Sequence, residues 1–176
     1  MPTAVDRLTS LVRDVPDFPV PGVTFRDITP LLGDADAFSA VVAGMADPWE
    51  ASGVTTVVGI DARGFIVAAP IALRLGAGLV PVRKPGKLPW RVEREGYDLE
   101  YGSDALEVHA DAVGPGDRVL VVDDVLATGG TASAAARLVE RLGAAVVGVS
   151  VLIELASLGG RDRLPGRHVA ALVTEG

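Results

Sequence analysis

The chain has no cysteine. That excludes a disulfide framework, a thiolate nucleophile and any cysteine-ligated metal, and it fits a reducing compartment. Aromatic residues make up only 5% of the sequence. A core must therefore be assembled from Val, Leu, Ile and Ala, the composition of a buried parallel sheet covered by helices. Positive charge is in deficit. The 23 acidic and 16 basic residues leave a formal net charge of −7, which argues against a general binder of nucleic acid or membrane surface. Uncharged apolar runs such as 64–73 and 144–153 stop far short of the ~20 residues of a membrane-spanning helix. Asp6, Arg7, Arg13 and Asp14 interrupt any apolar leader at the N-terminus, so a cytoplasmic location is expected. His109, His168 and Trp90 carry no pattern that suggests a role, and nothing points to zinc or a nucleophilic triad.

What the chain does have is apolar material, 49% of its 176 residues, in an amount that suits one domain over residues 1–176. Periodicity predicts helices over 3–15, 35–51, 64–75 and 131–142. Buried strands are expected at 55–60, 78–83, 118–122, 145–152 and 169–173, with short half-exposed strands at 99–101 and 106–108. The stretches 15–22 and 84–97, punctuated by proline and glycine, read as loops. Strand–helix alternation of this kind implies an α/β fold with a mostly parallel sheet flanked by helices.

The strongest local signal is VLVVDDVLATGGT, residues 119–131. An apolar strand ends in Asp123 and Asp124, passes through a loop of small residues and enters a helix. Ligands of open α/β sheets bind at the carboxyl ends of strands. The loop Ala127, Thr128, Gly129, Gly130 and Thr131 offers clustered backbone N–H groups, two hydroxyls and two glycines that allow close approach, at a helix N-terminus that favours phosphate. The two carboxylates suit hydroxyls or a hydrated Mg²⁺. A phosphorylated sugar satisfies both halves of this signal. A second strand-to-helix turn, Asp61-Ala62-Arg63, places an arginine near the same sheet edge, where it can meet phosphate oxygens. Neither turn is a Walker loop, because Phe65-Ile66 stands where Lys and Ser/Thr are needed. No dinucleotide fingerprint is present either. The chain's two lysines, Lys84 and Lys87, fall in one window beside Arg83, against 14 arginines overall. A compact ammonium meets several phosphate oxygens at once, although a solvated basic loop has the same composition.

VLVVDDVLATGGT resembles the phosphoribosyl pyrophosphate (PRPP) motif of the type I phosphoribosyltransferases. FPVPGVTFRDITPLL (18–32), GIDARGFI (59–66), VRKPGKLP (82–89), YDLEYGSDALEVH (97–109) and VLIELASLGGRDRL (151–164) resemble the adenine-specific branch of that family, in order along nearly the whole chain. The resemblance implies a parallel α/β core, a small base-binding hood from about 1–33 with 153–160, and a mobile catalytic loop. It implies a Mg²⁺-dependent homodimer that joins adenine to PRPP, giving AMP and pyrophosphate, with no nucleic-acid or membrane partner. Ala127–Thr131 would grip the 5′-phosphate, while Asp123 and Asp124 would hold ribose hydroxyls or the metal's waters. Asp61, Ala62 and Arg63, with Arg83, Lys84 and Lys87, would meet the pyrophosphate. The Asp61-Ala62 peptide is often unusual in such enzymes, and the serine they often carry is here Ala62, which has no hydroxyl to offer. Glu100 would be the acid/base with Tyr101 beside it. Thr24 and Arg26 would contact the base through backbone groups, Phe25 would stack on one face and Leu155 would cover the other. Read without the resemblance, Glu100 is an ordinary solvated residue, and Phe25 and Leu155 are core. Another purine base, or a non-enzymatic PRPP-sensing regulator, remains an alternative.

Overall fold

The computed structural model describes residues 3–98 and 102–176. They divide into two compact units, one ending at Gly44 and the other comprising Met45–Gly176.

In the first unit, helix α1 (Ala4–Leu11) opens with a reciprocal cap. Asp6 N donates to Thr3 Oγ1 (3.1 Å) and Thr3 N donates to the Asp6 carboxylate (2.8 Å), so two of the helix's orphan donors are satisfied. The helix is shorter than its apolar spacing suggests. At Val12 the backbone turns extended, and β1 (Arg13–Val15) pairs antiparallel with β2 (Phe25–Asp27). Helices α2 (Thr29–Gly33) and α3 (Ala35–Ala46) follow. Beyond α3 the chain tightens into a 3₁₀ turn at Asp47–Trp49 rather than continuing to residue 51, because Pro48 has no N–H to extend the helical ladder.

The second unit is built on five parallel strands in the order β4-β3-β7-β8-β9. They are β3 (Thr56–Ile60), β4 (Gly78–Val82), β7 (Arg118–Leu126), β8 (Ala145–Leu155) and β9 (Val169–Glu175). Helix α4 (Arg63–Leu75) connects β3 to β4, and α5 (Gly130–Arg141) connects β7 to β8. The fold is the parallel α/β sheet expected from the alternation. Its core is aliphatic: Val57, Val58, Val119, Leu120, Val121, Val122, Val149 and Val151 are fully buried.

In the second unit, two strands depart most from the pattern reading. Residues 92–97, read as loop, belong to strand β5 (Val92–Asp98), which pairs antiparallel with β6 (Ser103–His109). Its sequence is polar because its support is polar. Glu95 is ion-paired to Arg137 and Arg141 of α5, partners more than 40 residues away. The second departure is β7, which runs on to Leu126 instead of stopping at the acids. β3 pairs with β7 only as far as Val122, whereas β8 stays paired to it through Leu126. No helix among the described residues is long and apolar enough to cross a membrane.

Candidate active site

Because the pairing of β3 with β7 stops at Val122, four residues before β7 ends, Asp123 and Asp124 lie where the ladder to that neighbour is already over. The vacated edge is taken by the turn Asp61-Ala62-Arg63, whose Asp61–Ala62 peptide is cis. Arg63 Nε lies 2.7 Å from Asp124 Oδ2, and that carboxylate is almost fully buried. The two strand-to-helix turns singled out in the sequence are thus joined by an ion pair. Burial, and then the neighbouring Asp124 charge, push the Asp123 carboxyl well above its ordinary value.

One cavity of 370 Å³ collects these groups. Asp61, Ala62, Arg63, Lys84, Asp123, Asp124, Ala127 and Thr131 line it, with Val125 the one lining residue that sequence reasoning did not nominate. A hollow of 70 Å³ adjoins it, formed by Asp123 and the loop from Val125 to Ala132, which includes Thr128, Gly129 and Gly130. That hollow sits at the N-terminus of α5, where Gly129 is in the left-handed region (φ 82°). Backbone N–H groups there carry the partial positive charge that a phosphate requires.

The basic segment is organised by Asp61. Its Oδ2 accepts from Arg83 Nε (3.1 Å), Lys87 Nζ (3.3 Å) and Lys84 N (3.5 Å), and its side chain is 5% exposed. Burial would raise this carboxyl, but the bonds from Lys87, Arg83 and Lys84 outweigh it and hold Asp61 below the usual carboxylate value. The Asp61 carboxylate thus gathers Arg83, Lys84 and Lys87 beside the cavity it lines. Lys84 has a second attachment. Its Nζ donates to Tyr97 Oη (2.6 Å) and to Asp104 Oδ2, and it lies 5.2 Å from the Tyr97 ring centroid. Desolvation would lower this ammonium, but Asp104 and Tyr97 raise it on balance. Tyr97 and Asp104 lie opposite each other in the β5–β6 ladder. Sequence reading missed both, because 92–98 did not read as a strand.

A domain profile described as "Phosphoribosyl transferase domain" matches residues 35–169. The chain is 58% identical over 162 residues to an adenine phosphoribosyltransferase of Acidothermus cellulolyticus, covering 92% of each chain. It superposes on the crystal structure of adenine phosphoribosyltransferase from Rhodothermus marinus with a TM-score of 0.94, 50% identity and 98% of both chains covered. The Saccharomyces cerevisiae enzyme, complexed with D-2,5-dideoxy-2,5-imino-altritol 1,6-bisphosphate and adenine, matches with a TM-score of 0.90 at 35% identity, over 96% of this chain and 98% of that one. The chain belongs to the phosphoribosyltransferase family.

As in other phosphoribosyltransferases of type I, the site stands at the carboxyl edge of the parallel sheet. A larger cleft of 740 Å³, lined by parts of the β5–β6 ladder, the start of α5 and residues 162–165, contains neither the acid pair nor the 83–87 cations. The expected acid/base Glu100 and its neighbour Tyr101 lie outside the described residues. Thr24, Phe25 and Arg26 belong to the first unit, where Phe25 packs edge-on against Phe18 (ring centroids 5.1 Å apart) and Arg26 is ion-paired to Asp14. Val15, Phe18, Phe25 and Asp27 line a cleft of 190 Å³. β2 pairs with β1 among the described residues. Leu155, the last residue of β8 in the second unit, is half-buried.

Proposed function

We propose that this chain transfers the phosphoribosyl group of PRPP to adenine, giving AMP and pyrophosphate. The observation that carries the reading is a pair of adjoining cavities that share Asp123, Val125, Ala127 and Thr131: the phosphate cradle lines the smaller, and the carboxylate pair with Arg63 and Lys84 lines the larger. Adenine N9 attacks the anomeric carbon of ribose as the bond to the pyrophosphate oxygen breaks. Charge builds on the leaving group, so the protein's main contribution is electrostatic. Arg63, Arg83, Lys84 and Lys87 meet that charge. Ala127–Thr131 holds the 5′-phosphate through backbone N–H groups and hydroxyls. Asp123 and Asp124 orient the ribose hydroxyls.

A divalent cation fits the same donor set. Mg²⁺ is commonly held by one or two carboxylates together with substrate phosphates rather than by an all-protein cage. Asp123 and Asp124 supply such a pair, and no cluster of three ligating residues exists among the described residues. When bound, the ion neutralises pyrophosphate charge. For the base, Phe25 supplies a ring face, and Thr24 and Arg26 supply backbone groups. Adenine relatives at 58% and 50% identity favour adenine over an oxopurine. We also propose a homodimer. On α4, Leu73 is 83% exposed and Ile66 43%, with Leu79 of the edge strand β4 at 45%, an apolar face suited to a second copy.

The decisive assay is AMP formation from PRPP and Mg²⁺ with each purine base in turn. Adenine should be converted far faster than hypoxanthine or guanine. Comparable turnover of either oxopurine would overturn the base assignment.

A further inference from the structure

The phosphate cradle does not stand alone at the end of β7. Gly129, read from sequence as leaving room for a ligand, leaves room for protein. A Cβ there would fall on the carbonyl of Gly160, with Gly160 C at 3.0 Å and Cα at 3.1 Å. Gly160 is constrained in return. Its own Cβ would fall on the carbonyl of Ala127 and come within 2.9 Å of Leu126 Cγ. Unlike Gly129, Gly160 does not occupy the left-handed region, so space and not conformation demands glycine there. Two backbones, the cradle and the segment 156–164, are interlocked through facing glycines with no side chain between them.

That segment is pinned from behind. Arg161 makes a two-pronged ion pair with Glu154, Nε to Oε1 at 2.6 Å and Nη2 to Oε2 at 2.7 Å, and its Nη1 donates to Val169 O (2.9 Å). Thr174 Oγ1 donates to the same carboxylate (3.2 Å). The Glu154 side chain is 5% exposed. The fork therefore fastens the residue next to Gly160 to Glu154 near the end of β8 and to Val169 at the start of β9. Forked arginine–carboxylate pairs fix direction as well as distance.

We infer that the Glu154–Arg161 fork and Gly160 are positioning elements for the 5′-phosphate: they form the back wall that sets where the Ala127 carbonyl and the Gly129 backbone, and hence the cradle's N–H groups, stand. The inference rests on the assignment of Ala127–Thr131 as the 5′-phosphate cradle. Adding a methyl at Gly160 must displace the Ala127 carbonyl by about 1 Å to restore ordinary van der Waals separation. Losing one charge-assisted hydrogen bond to the phosphate costs roughly 10–10²-fold in affinity.

The test compares three ligands. PRPP and AMP both carry the 5′-phosphate, while inorganic pyrophosphate does not. Titration calorimetry in Mg²⁺ should show Gly160→Ala and Arg161→Ala weakening PRPP and AMP by a common factor of roughly 10–10²-fold, with pyrophosphate affinity within about twofold of wild type. Arg161→Lys keeps the charge but loses the fork, and should fall between wild type and Arg161→Ala. It also serves should either of the harsher variants fail to fold. Thr131→Val, inside the cradle, is the reference. If it weakens PRPP and AMP while the Gly160 and Arg161 variants do not, the positioning role is wrong and the cradle assignment stands. If Thr131→Val also has no effect, the cradle assignment fails and the inference with it. Equal loss for all three ligands, or loss for AMP alone, would likewise overturn it, since the first is general damage and the second an effect on the base.

Discussion

Lys84 has two claimants, and Lys84→Ala separates them. It lines the cavity assigned to the pyrophosphate, yet its ammonium is held by Tyr97 and Asp104. If it serves the ligand, its loss removes at least one charge-assisted hydrogen bond, worth about 1.5–3 kcal/mol. At about 1.4 kcal/mol per factor of ten, PRPP affinity should fall by roughly 10–150-fold. The structural cost is smaller. The Lys84 and Asp104 side chains are 35% and 30% exposed, so solvent screening limits their pair to about 0–1 kcal/mol. Asp104 also keeps its bond from Tyr97 Oη (3.1 Å). A loss of that size lowers the melting temperature by at most about 4 °C in a chain of this length. The measurements are the PRPP dissociation constant at two ionic strengths and the melting curve of the same preparation. Affinity should fall steeply and become less sensitive to salt. Asp104→Asn retains an oxygen for Lys84 and removes a competing charge, so PRPP affinity should hold or rise. A lowered melting temperature with unchanged PRPP affinity in Lys84→Ala would refute the assignment and leave Lys84 as a strut of the β5–β6 ladder.

Other outcomes follow from the same reading. Glu100→Gln should lower turnover by roughly 10²–10⁴-fold with little change in PRPP or adenine binding; near-normal turnover per folded molecule would remove Glu100 from the site. The fork from Arg161 holds Glu154 below its ordinary value of 4.5 despite burial. Its stabilisation is therefore complete above pH 4.5 and fades as pH falls through the lowered folded-state value. Glu154→Gln should flatten the acid limb of the stability curve below pH 4.5, and an unchanged acid limb would contradict the bond geometry. Leu73→Asp should shift the sedimentation profile toward monomer, whereas an unaltered profile would move the dimer contact away from α4.

The sequence was sufficient for everything that depends on local order. An apolar run of four valines and leucines before two acids and a small-residue loop can do little but end a buried strand at a helix N-terminus. The sheet, α4, α5 and most residues of the cavity follow from that kind of pattern. The resemblance of the 119–131 motif identified the chemistry because a phosphate cradle is made of consecutive backbone groups. What was not legible depends on partners distant in the chain. β5 hid in polar sequence because arginines of α5 hold it. The length of β7 was set by its neighbours, which stop at different points. Tyr97 and Asp104 became visible as partners of Lys84 only once the β5–β6 ladder set them opposite each other. Most telling is Gly129. Its left-handed φ agrees with the motif, but the absence of its Cβ answers to Gly160, thirty-one residues on, and no local pattern records that two backbones meet there. Spacing along the chain encodes which face a residue occupies, whereas close approach between segments is decided only when the sheet brings them together.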